Sequence, residues 1–184
     1  MPLKTPICDF GQAAKSFELK STNNEIIKLN DIKGTNGTLV MFICNHCPYV
    51  KAVIKDIVED CKNLEKLGVK AVAICSNDTI NYPEDSFENM IEIAKKHQFS
   101  FPYLFDETQN VAKSYDAVCT PDFFGYNNNL ELQYRGRIRE LDNLKPVRAG
   151  DSDLYSAMKQ IAGTGKGPET QIPSAGCAIK WLDN

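Results

Sequence analysis

The chain has 184 residues, of which 42% are hydrophobic and 24% are charged, and this composition predicts one packed globular domain. Its net charge of −3 argues against a nucleic-acid-binding surface, and no apolar run approaches the roughly 20 residues that cross a bilayer. The first residues lack the apolar core of a signal peptide, so we expect a cytoplasmic protein whose seven cysteines are free thiols rather than a disulfide framework.

The first 36 residues are predicted to form an N-terminal extension that contains a β-hairpin. Residues 16–20 and 25–29 are two short strand candidates, and the turn-forming residues 21–24 lie between them. Residues 33–37 are expected to form the loop that leads from this hairpin into the first central strand.

The central feature of the sequence is a pair of cysteines where a strand meets a helix. The apolar residues 39–43 predict a buried strand that ends at Cys44, and a helical pattern follows shortly afterwards. Two polar residues, Asn45 and His46, separate Cys44 from Cys47. In open α/β sheets, functional residues collect where the carboxyl ends of strands meet helix starts, and Cys-x-x-Cys in a βαβ pattern is typical of thioredoxin-like redox motifs.

Nucleophilic chemistry is expected of this pair. A thiolate is the nucleophile in disulfide exchange, and the positive end of a helix lowers the pKa of a nearby cysteine. We therefore expect a lowered pKa for Cys44, which would be the exposed nucleophile, and we expect Cys47 to be the resolving thiol. His46 is expected to complement the thiolate and to make the pair more oxidising, with a solvated loop side chain as the alternative.

The rest of the pattern predicts alternating helices and strands. Apolar residues at spacings of three and four predict a helix from Pro48 that ends at Gly68, and residues 69–75 predict a second buried strand, which completes a βαβ unit. The elements predicted further along are a helix over 83–96, a strand over 102–105, a helix over 108–115, a hairpin of 123–126 with 130–135, a charged insertion over 137–150, and a helix over 153–162. A tail rich in glycine and proline follows.

Four segments of the chain carry a family resemblance. They are residues 42–50, which contain Cys-Asn-His-Cys-Pro, residues 119–124, which read Cys-Thr-Pro-Asp-Phe-Phe, residues 134–136 and residues 176–181. Together with the order of elements, they resemble the thioredoxin superfamily and, within it, the peroxiredoxin-like AhpC/TSA or redoxin branch. The resemblance implies a single thioredoxin-like α/β domain over 1–184, with a central mixed β-sheet flanked by helices, an N-terminal hairpin extension over 1–36 and a C-terminal tail over 165–184.

The resemblance also implies roles for the segment around Pro121. The Thr120–Pro121 bond is expected to be cis and to face the redox pair, and both residues are expected to bind the substrate through backbone groups that are free to pair with it. Cys119 is expected either to approach Cys44 or Cys47 as an additional redox thiol or to be inert. Packing or structural roles are expected for the remaining cysteines, which are Cys8, Cys61, Cys75 and Cys177. The alternatives are a place near the site for Cys75 and an additional thiol at Cys8 or Cys177.

These observations predict a thiol-disulfide oxidoreductase that uses Cys44 and Cys47 for dithiol–disulfide exchange in redox homeostasis. The expected substrate is a protein or low-molecular-weight disulfide or thiol, and the expected reducing partner is of the kind of thioredoxin or glutathione. No cofactor, metal, membrane or nucleic-acid partner is expected, and a homodimer is one expected assembly.

A peroxiredoxin-like thiol peroxidase with an antioxidant role is the first alternative. Peroxiredoxins resemble one another in the pattern Pro-x-x-x-Thr/Ser-x-x-Cys, whose hydroxyl and proline shape the peroxide pocket. Counting back from Cys47 gives Cys44 and Val40 at those places, and counting back from Cys44 gives Met41 and Gly37. Because neither cysteine has these partners, we do not expect the usual peroxidase geometry, although slow oxidation to sulfenic acid remains open.

A Cu(I)-binding metallochaperone is the second alternative, because two thiolates near a histidine suit a soft metal ion. His46 lies between the cysteines and is poorly placed as a third ligand to the same ion, and His97 belongs to a different predicted helix. The sequence therefore favours redox chemistry over metal binding.

Overall fold

A seven-stranded mixed sheet forms the centre of the computed structural model, which describes residues 1–183. In chain order the strands are β1 (Leu3–Lys4), β2 (Glu18–Ser21), β3 (Ile26–Lys28), β4 (Gly37–Phe42), β5 (Val69–Cys75), β6 (Tyr103–Phe105), β7 (Cys119–Thr120), β8 (Asp122–Tyr126), β9 (Leu132–Tyr134), β10 (Leu141–Asp142), β11 (Lys145–Pro146) and β12 (Ala175–Ala178). The central sheet has the order β3-β2-β6-β5-β4-β8-β9. A three-stranded sheet has the order β1-β12-β7, and β10 pairs with β11.

Helices cover both faces of the central sheet. Within residues 1–183 the α-helices are α1 (Pro48–Glu65), α2 (Phe87–Lys96), α3 (Asn110–Ser114) and α4 (Asp153–Thr164), and short 3-10 helices span Leu29–Ile32 and Pro83–Asp85. Side chains of α1, α2 and α4 pack on one face, whereas α3 and the first 3-10 helix pack on the other. In this described part of the chain, the helices are too short or too polar to span a membrane.

Strand β4 explains the α/β architecture. All its residues are buried, and Met41 and Phe42 enter the cores on opposite faces because successive side chains of a strand alternate. It runs parallel to β5 and antiparallel to β8, with Phe42 paired to Ile74 on one side and to Asp122 on the other. The predicted central mixed sheet flanked by helices is therefore confirmed.

The predicted boundaries are most accurate where the apolar pattern is strong. β5 spans the predicted residues, and α1 begins at Pro48 as predicted. Helix α1 ends at Glu65, before a turn in which Gly68 adopts a φ of +80°. The helix predicted to open at Pro83 instead starts as a 3-10 helix, and α2 begins only after Ser86, whose hydroxyl oxygen caps its first turn.

Both ends of the chain join the body of the protein through strands. The N-terminal hairpin of β2 and β3 continues the central sheet, because β2 pairs with β6. The charged insertion contains the hairpin of β10 and β11. The tail contains β12, which its glycine and proline content did not indicate and which pairs with β1 and β7. Gly176 permits this close approach, since a Cβ there would lie 1.9 Å from the Thr120 carbonyl oxygen.

Candidate active site

The end of β4 and the start of α1 place the two cysteines side by side. Cys44 lies in the loop after β4, Cys47 is the N-cap residue of α1, and Pro48 is the first helical residue. Cys44 is 3% exposed and Cys47 is 0% exposed. The expectation of an exposed Cys44 is therefore wrong, because the surrounding segments cover both thiols.

The segment before β8 faces the cysteine pair. The Thr120–Pro121 peptide bond is cis, which confirms that prediction. Cys44 Sγ lies 3.5 Å from Thr120 Oγ1, and Cys47 Sγ lies 3.3 Å from the Thr120 carbonyl oxygen. Thr120 therefore contacts both thiols. Its backbone is paired with β12 of the same chain rather than left free, which differs from the expected open edge.

The two thiols have pKa values shifted in opposite directions. A hydrogen bond between Cys44 and Cys47 is the largest cause of both shifts, raising the pKa of Cys44 and lowering the pKa of Cys47 to about 4. Burial and the nearby Asp85 carboxylate further raise the pKa of Cys44. Burial opposes the lowered pKa of Cys47, while the Cys177 thiol and the Val50 N–H support it.

This arrangement reverses the order of pKa values that the sequence predicted. The start of α1 acts on Cys47, the N-cap residue, rather than on Cys44 in the preceding loop. One contact opposes this, because the Thr120 carbonyl oxygen beside Cys47 Sγ favours a protonated thiol. Donors around Cys47 outnumber that acceptor, so we assign the negative charge of the reduced pair to Cys47.

The fully buried Asp85 holds the loop between the cysteines. Its Oδ1 accepts hydrogen bonds from the N–H groups of Asn45 at 2.7 Å and His46 at 3.2 Å. Its Oδ2 accepts one from the Asn77 side chain at 2.8 Å, and the Tyr103 hydroxyl donates to the Asn45 side chain at 2.9 Å. The sequence pattern indicated Asp85 only as an acid near a helix start. Its place beyond the carboxyl end of β5, at the same sheet edge as the cysteines, is the signal that could have identified it.

His46 contacts Asp85 and Tyr82. Its Nδ1 lies 2.5 Å from Asp85 Oδ2, but no hydrogen bond of acceptable geometry forms there, so we treat the contact as electrostatic. The imidazole stacks on the Tyr82 ring with 5.8 Å between centroids, and Lys180 Nζ lies 5.7 Å from the centroid of the Tyr82 ring. His46 therefore contacts the residue that holds the loop between the cysteines, and its effect on the pair stays a prediction.

Two further cysteines lie near the pair. Cys119 Sγ is directed to the Pro121 carbonyl oxygen at 3.8 Å, and burial raises the pKa of Cys119 to about 12. Cys177 on β12 lies opposite Thr120 in the strand register, and burial and then the Cys47 thiol raise the pKa of Cys177 to about 11. A redox role for Cys119 stays a prediction. The contact of Cys177 was missed because the tail was not expected to form a strand.

Cys44, His46 and Asp85 also bring three potential metal ligands together. One donor atom from each lies within 4.8 Å of the others. Both Asp85 oxygens already accept hydrogen bonds from the protein, which a metal ion would have to displace. A soft ion such as Cu(I) also prefers thiolate to carboxylate ligands. The site therefore suits thiol chemistry better than metal binding.

The fold and the paired cysteines define a thioredoxin-like redoxin. Residues 10–141 match the AhpC/TSA family, and the chain belongs to this family. A curated protein, the ribosomal protein uS12 methylthiotransferase RimO of Clostridioides difficile strain 630, is 26% identical over an alignment of 147 residues that covers 65% of this chain. The chain spans about a third of the length of that relative, since the match covers 33% of it.

Solved structures share the fold. An uncharacterized conserved protein from Geobacillus kaustophilus is 39% identical with a TM-score of 0.94, and the match covers 100% of this chain and 98% of that one. A hypothetical protein from Sinorhizobium meliloti 1021 is 33% identical with a TM-score of 0.91 over 100% of both chains. The peroxidoxin BcpB from Mycobacterium tuberculosis is 15% identical with a TM-score of 0.56, over 67% of this chain and 81% of that one, and supports the fold alone.

Proposed function

We propose that this protein is a thiol-disulfide oxidoreductase that exchanges a dithiol and a disulfide at Cys44 and Cys47. The observation that carries the proposal is the placement of both thiols against Thr120 at the N-terminus of an 18-residue helix, with Cys44 Sγ 3.5 Å from Thr120 Oγ1 and Cys47 Sγ 3.3 Å from the Thr120 carbonyl oxygen. A cysteine with a lowered pKa in contact with a second thiol is the arrangement that disulfide exchange requires. Membership in the AhpC/TSA family supports a redox role for these cysteines.

Cys44 attacks the substrate disulfide in this proposal. Its Sγ lies within 4.8 Å of a donor atom of the partly exposed His46, whereas Cys47 is enclosed by protein atoms. The Cys47 thiolate takes the proton of Cys44 as the Cys44 sulfur bonds to one substrate sulfur, and the other substrate sulfur leaves as a thiolate. Cys47 then attacks the Cys44 sulfur, its proton passes to the departing substrate thiolate, and a Cys44–Cys47 disulfide remains. The reverse sequence oxidises a substrate dithiol.

The lowered pKa of Cys47 bears on the direction of exchange. A thiolate that stays ionised down to about pH 4 stabilises the reduced form, and this makes the pair a stronger oxidant. The proposed partners are a protein or low-molecular-weight thiol or disulfide and a reductant of the kind of thioredoxin or glutathione, in the cytoplasm.

Trapping of mixed disulfides tests the proposed function. Cys47→Ser should accumulate mixed disulfides through Cys44, because the thiol that resolves them is gone. Cys44→Ser should trap no protein substrate and should lose the exchange of protein disulfides. Cys61→Ser is the matched control, since Cys61 is another buried cysteine of α1, and it should exchange like the wild type. Full insulin-disulfide exchange by Cys44→Ser would contradict the proposal.

Peroxide reduction is a second candidate that one contact favours. The sequence lacks a hydroxyl at the expected spacing before either cysteine, but Thr120 Oγ1 lies 3.5 Å from Cys44 Sγ and supplies a hydroxyl in space. The raised pKa of Cys44 opposes this candidate, because the thiolate is the reactive form. Peroxide consumption that is measurable in the wild type and lost in Thr120→Val would support it.

A further inference from the structure

Cys177 is the least buried of three cysteines that meet at the start of α1. Cys44 and Cys47 are buried, whereas Cys177 on β12 is half-buried. Antiparallel pairing of β12 with β7 sets Cys177 opposite Thr120, whose carbonyl oxygen lies 3.3 Å from Cys47 Sγ. Cys44 and Cys47 therefore both contact Thr120, Cys177 lies opposite Thr120 on the neighbouring strand, and Cys177 is the one of the three that reaches solvent.

The Cys177 thiol has two polar neighbours at the helix start. The Cys47 thiol, after burial, raises the pKa of Cys177, and the Tyr49 N–H supports its ionised form. Amides in the first turn of a helix have no partner within the helix and stabilise negative charge. The first turn of α1 thus serves Cys47 through the Val50 N–H and Cys177 through the Tyr49 N–H.

We propose that Cys177 is a third redox-active thiol that exchanges with the Cys44–Cys47 disulfide at Cys47 and carries the oxidised state toward the surface. This inference rests on the proposed function, which supplies the Cys44–Cys47 disulfide. The Cys177 thiolate attacks the Cys47 sulfur, the bond between Cys47 and Cys177 forms, and the bond between Cys44 and Cys47 breaks. Cys44 leaves as a thiolate and takes up the proton that Cys177 lost. The step moves a disulfide within the chain, so it needs no further oxidant.

Oxidation of Cys44 and Cys47 to a disulfide removes one cause of the raised pKa of Cys177 and one cause of the raised pKa of Cys44. Burial first, and then the contact with Cys47, raises the pKa of Cys177 to about 11, and the second cause disappears once the Cys47 sulfur is in a disulfide. The same holds for Cys44, whose pKa is raised chiefly by its hydrogen bond with Cys47. Thr120 Oγ1 lies 3.5 Å from Cys44 Sγ and can donate to the leaving thiolate. The attacking sulfur of Cys177 and the leaving sulfur of Cys44 therefore each have a hydrogen-bond donor nearby, the Tyr49 N–H and the Thr120 hydroxyl.

The transfer has a consequence for access to the site. Cys44 and Cys47 are covered, whereas Cys177 is half-buried. A disulfide between Cys47 and Cys177 is partly exposed on β12, and its formation returns Cys44 to the reduced state for another substrate. The substrate and the reductant would then use different thiols of the same site.

Disulfide mapping in a chain without Cys44 tests the inference. Reduced Cys44→Ser is oxidised with diamide, and peptides are mapped by mass spectrometry without reduction. We expect a Cys47–Cys177 disulfide, which should be lost when Cys177→Ser is added. The matched control adds Cys8→Ser instead, because Cys8 is also half-buried and its pKa is also raised to about 11. This control should retain the Cys47–Cys177 disulfide.

Parallel mapping of the wild type separates the two proposals. Under limiting oxidised glutathione, the wild type should contain both the Cys44–Cys47 and the Cys47–Cys177 disulfides, and Cys177→Ser should contain only the first. A normal Cys44–Cys47 disulfide in the wild type, with Cys177 unpaired in Cys44→Ser, would overturn this inference and leave the proposed function standing. A Cys47–Cys119 disulfide in Cys44→Ser would overturn it in favour of Cys119. A wild type that forms neither disulfide would overturn both proposals.

Discussion

Cys47 at the start of α1 is as buried as Cys61 and Cys75 in the core, yet its pKa is lowered whereas theirs are raised. Cys47 and Cys75 are both 0% exposed, but the pKa of Cys47 is lowered to about 4 and that of Cys75 is raised to about 12. Desolvation dominates at Cys75 and also raises the pKa of Cys61. Hydrogen-bond donors dominate at Cys47. Hydrogen-bond donors, rather than exposure, therefore distinguish the ionised thiol of the redox pair from the inert cysteines.

Helix α1 contains both kinds of cysteine. Cys47 is its N-cap residue and lies among first-turn amides that have no partner within the helix, while Cys61 lies in the interior, where the amides are already paired. The same helix therefore activates one thiol and leaves the other as a small apolar side chain. Substitutions that remove hydrogen-bond donors near Cys47 should raise its pKa toward the values of Cys61 and Cys75.

The largest effect is expected from Asp85→Ala, which removes the anchor of the reactive loop. The buried carboxylate accepts hydrogen bonds from Asn45, His46 and Asn77, and these donors would lose their partner. We expect the free energy of unfolding to fall by about 3 kcal/mol, because buried unpaired donors cost about 1–3 kcal/mol each and water partly replaces the carboxylate. Chemical denaturation measures the change.

Asp31→Ala is the matched control for this prediction. Asp31 also accepts a hydrogen bond from a backbone N–H, that of Lys28 at 2.8 Å, but at an exposed site. Its loss should lower the free energy of unfolding by about 1 kcal/mol or less. Equal losses for Asp85→Ala and Asp31→Ala would show that burial of the Asp85 anchor contributes nothing.

A buried carboxyl group on α1 extends the comparison from thiols to acids. Burial raises the pKa of Asp60 to about 6, although a hydrogen bond from Ser152 Oγ opposes the shift. The unfolded value is about 3.9, so the folded chain binds more protons between these values, and stability is lost as pH rises from about 4 to 6. Asp60→Asn should raise the free energy of unfolding at pH 7 by at most about 3 kcal/mol, since the shift is about two pKa units and each unit corresponds to about 1.4 kcal/mol.

The pH dependence separates this effect from a change in packing. The gain from Asp60→Asn should shrink toward zero near pH 4, where the wild-type carboxyl group is protonated in the folded protein. Glu59→Gln is the matched control, because Glu59 is an exposed neighbour on the same helix, and it should change stability little at either pH. A gain of equal size at pH 4 and pH 7 would contradict the raised pKa of Asp60.

The smallest effect is expected from His46→Ala. Loss of the imidazole that contacts Asp85 near Cys44 should destabilise the reduced form, and the reduction potential should fall by about 30 mV, which corresponds to about 1.4 kcal/mol. Redox titration against glutathione measures it. His97→Ala is the control, because His97 ends α2 and should leave the potential unchanged. An unchanged reduction potential in His46→Ala would show that His46 does not influence the redox pair.

The elements with strong local patterns could be predicted from the sequence. The apolar run before Cys44, the helical spacing after Pro48 and the motif around Pro121 were sufficient for the α/β fold and for the pairing of Cys44 with Cys47. The strand at Cys177 could not be predicted, because its pairing with Thr120 depends on a contact between distant segments, made close by Gly176.

The sequence also could not predict which of the two cysteines carries the negative charge. The pattern places both cysteines near a helix start, but it does not show which sulfur receives the first-turn amides. It is the fold that makes Cys47 the N-cap residue and sets the buried Asp85 carboxylate near Cys44. Asp85 itself was overlooked for a similar reason, since its hydrogen bonds reach a loop that lies some 40 residues earlier in the chain.

NMR titration of isotope-labelled cysteine Cβ atoms in the reduced wild-type protein tests the charge distribution most directly. The resonance of Cys47 should titrate with an apparent pKa of about 4, while that of Cys44 should show no titration near neutral pH. In Cys44→Ala the pKa of Cys47 should rise, because its principal donor is lost. A resonance of Cys44 that titrates first, or a Cys47 pKa near the ordinary value of about 8.5, would contradict the assignment of the negative charge to Cys47.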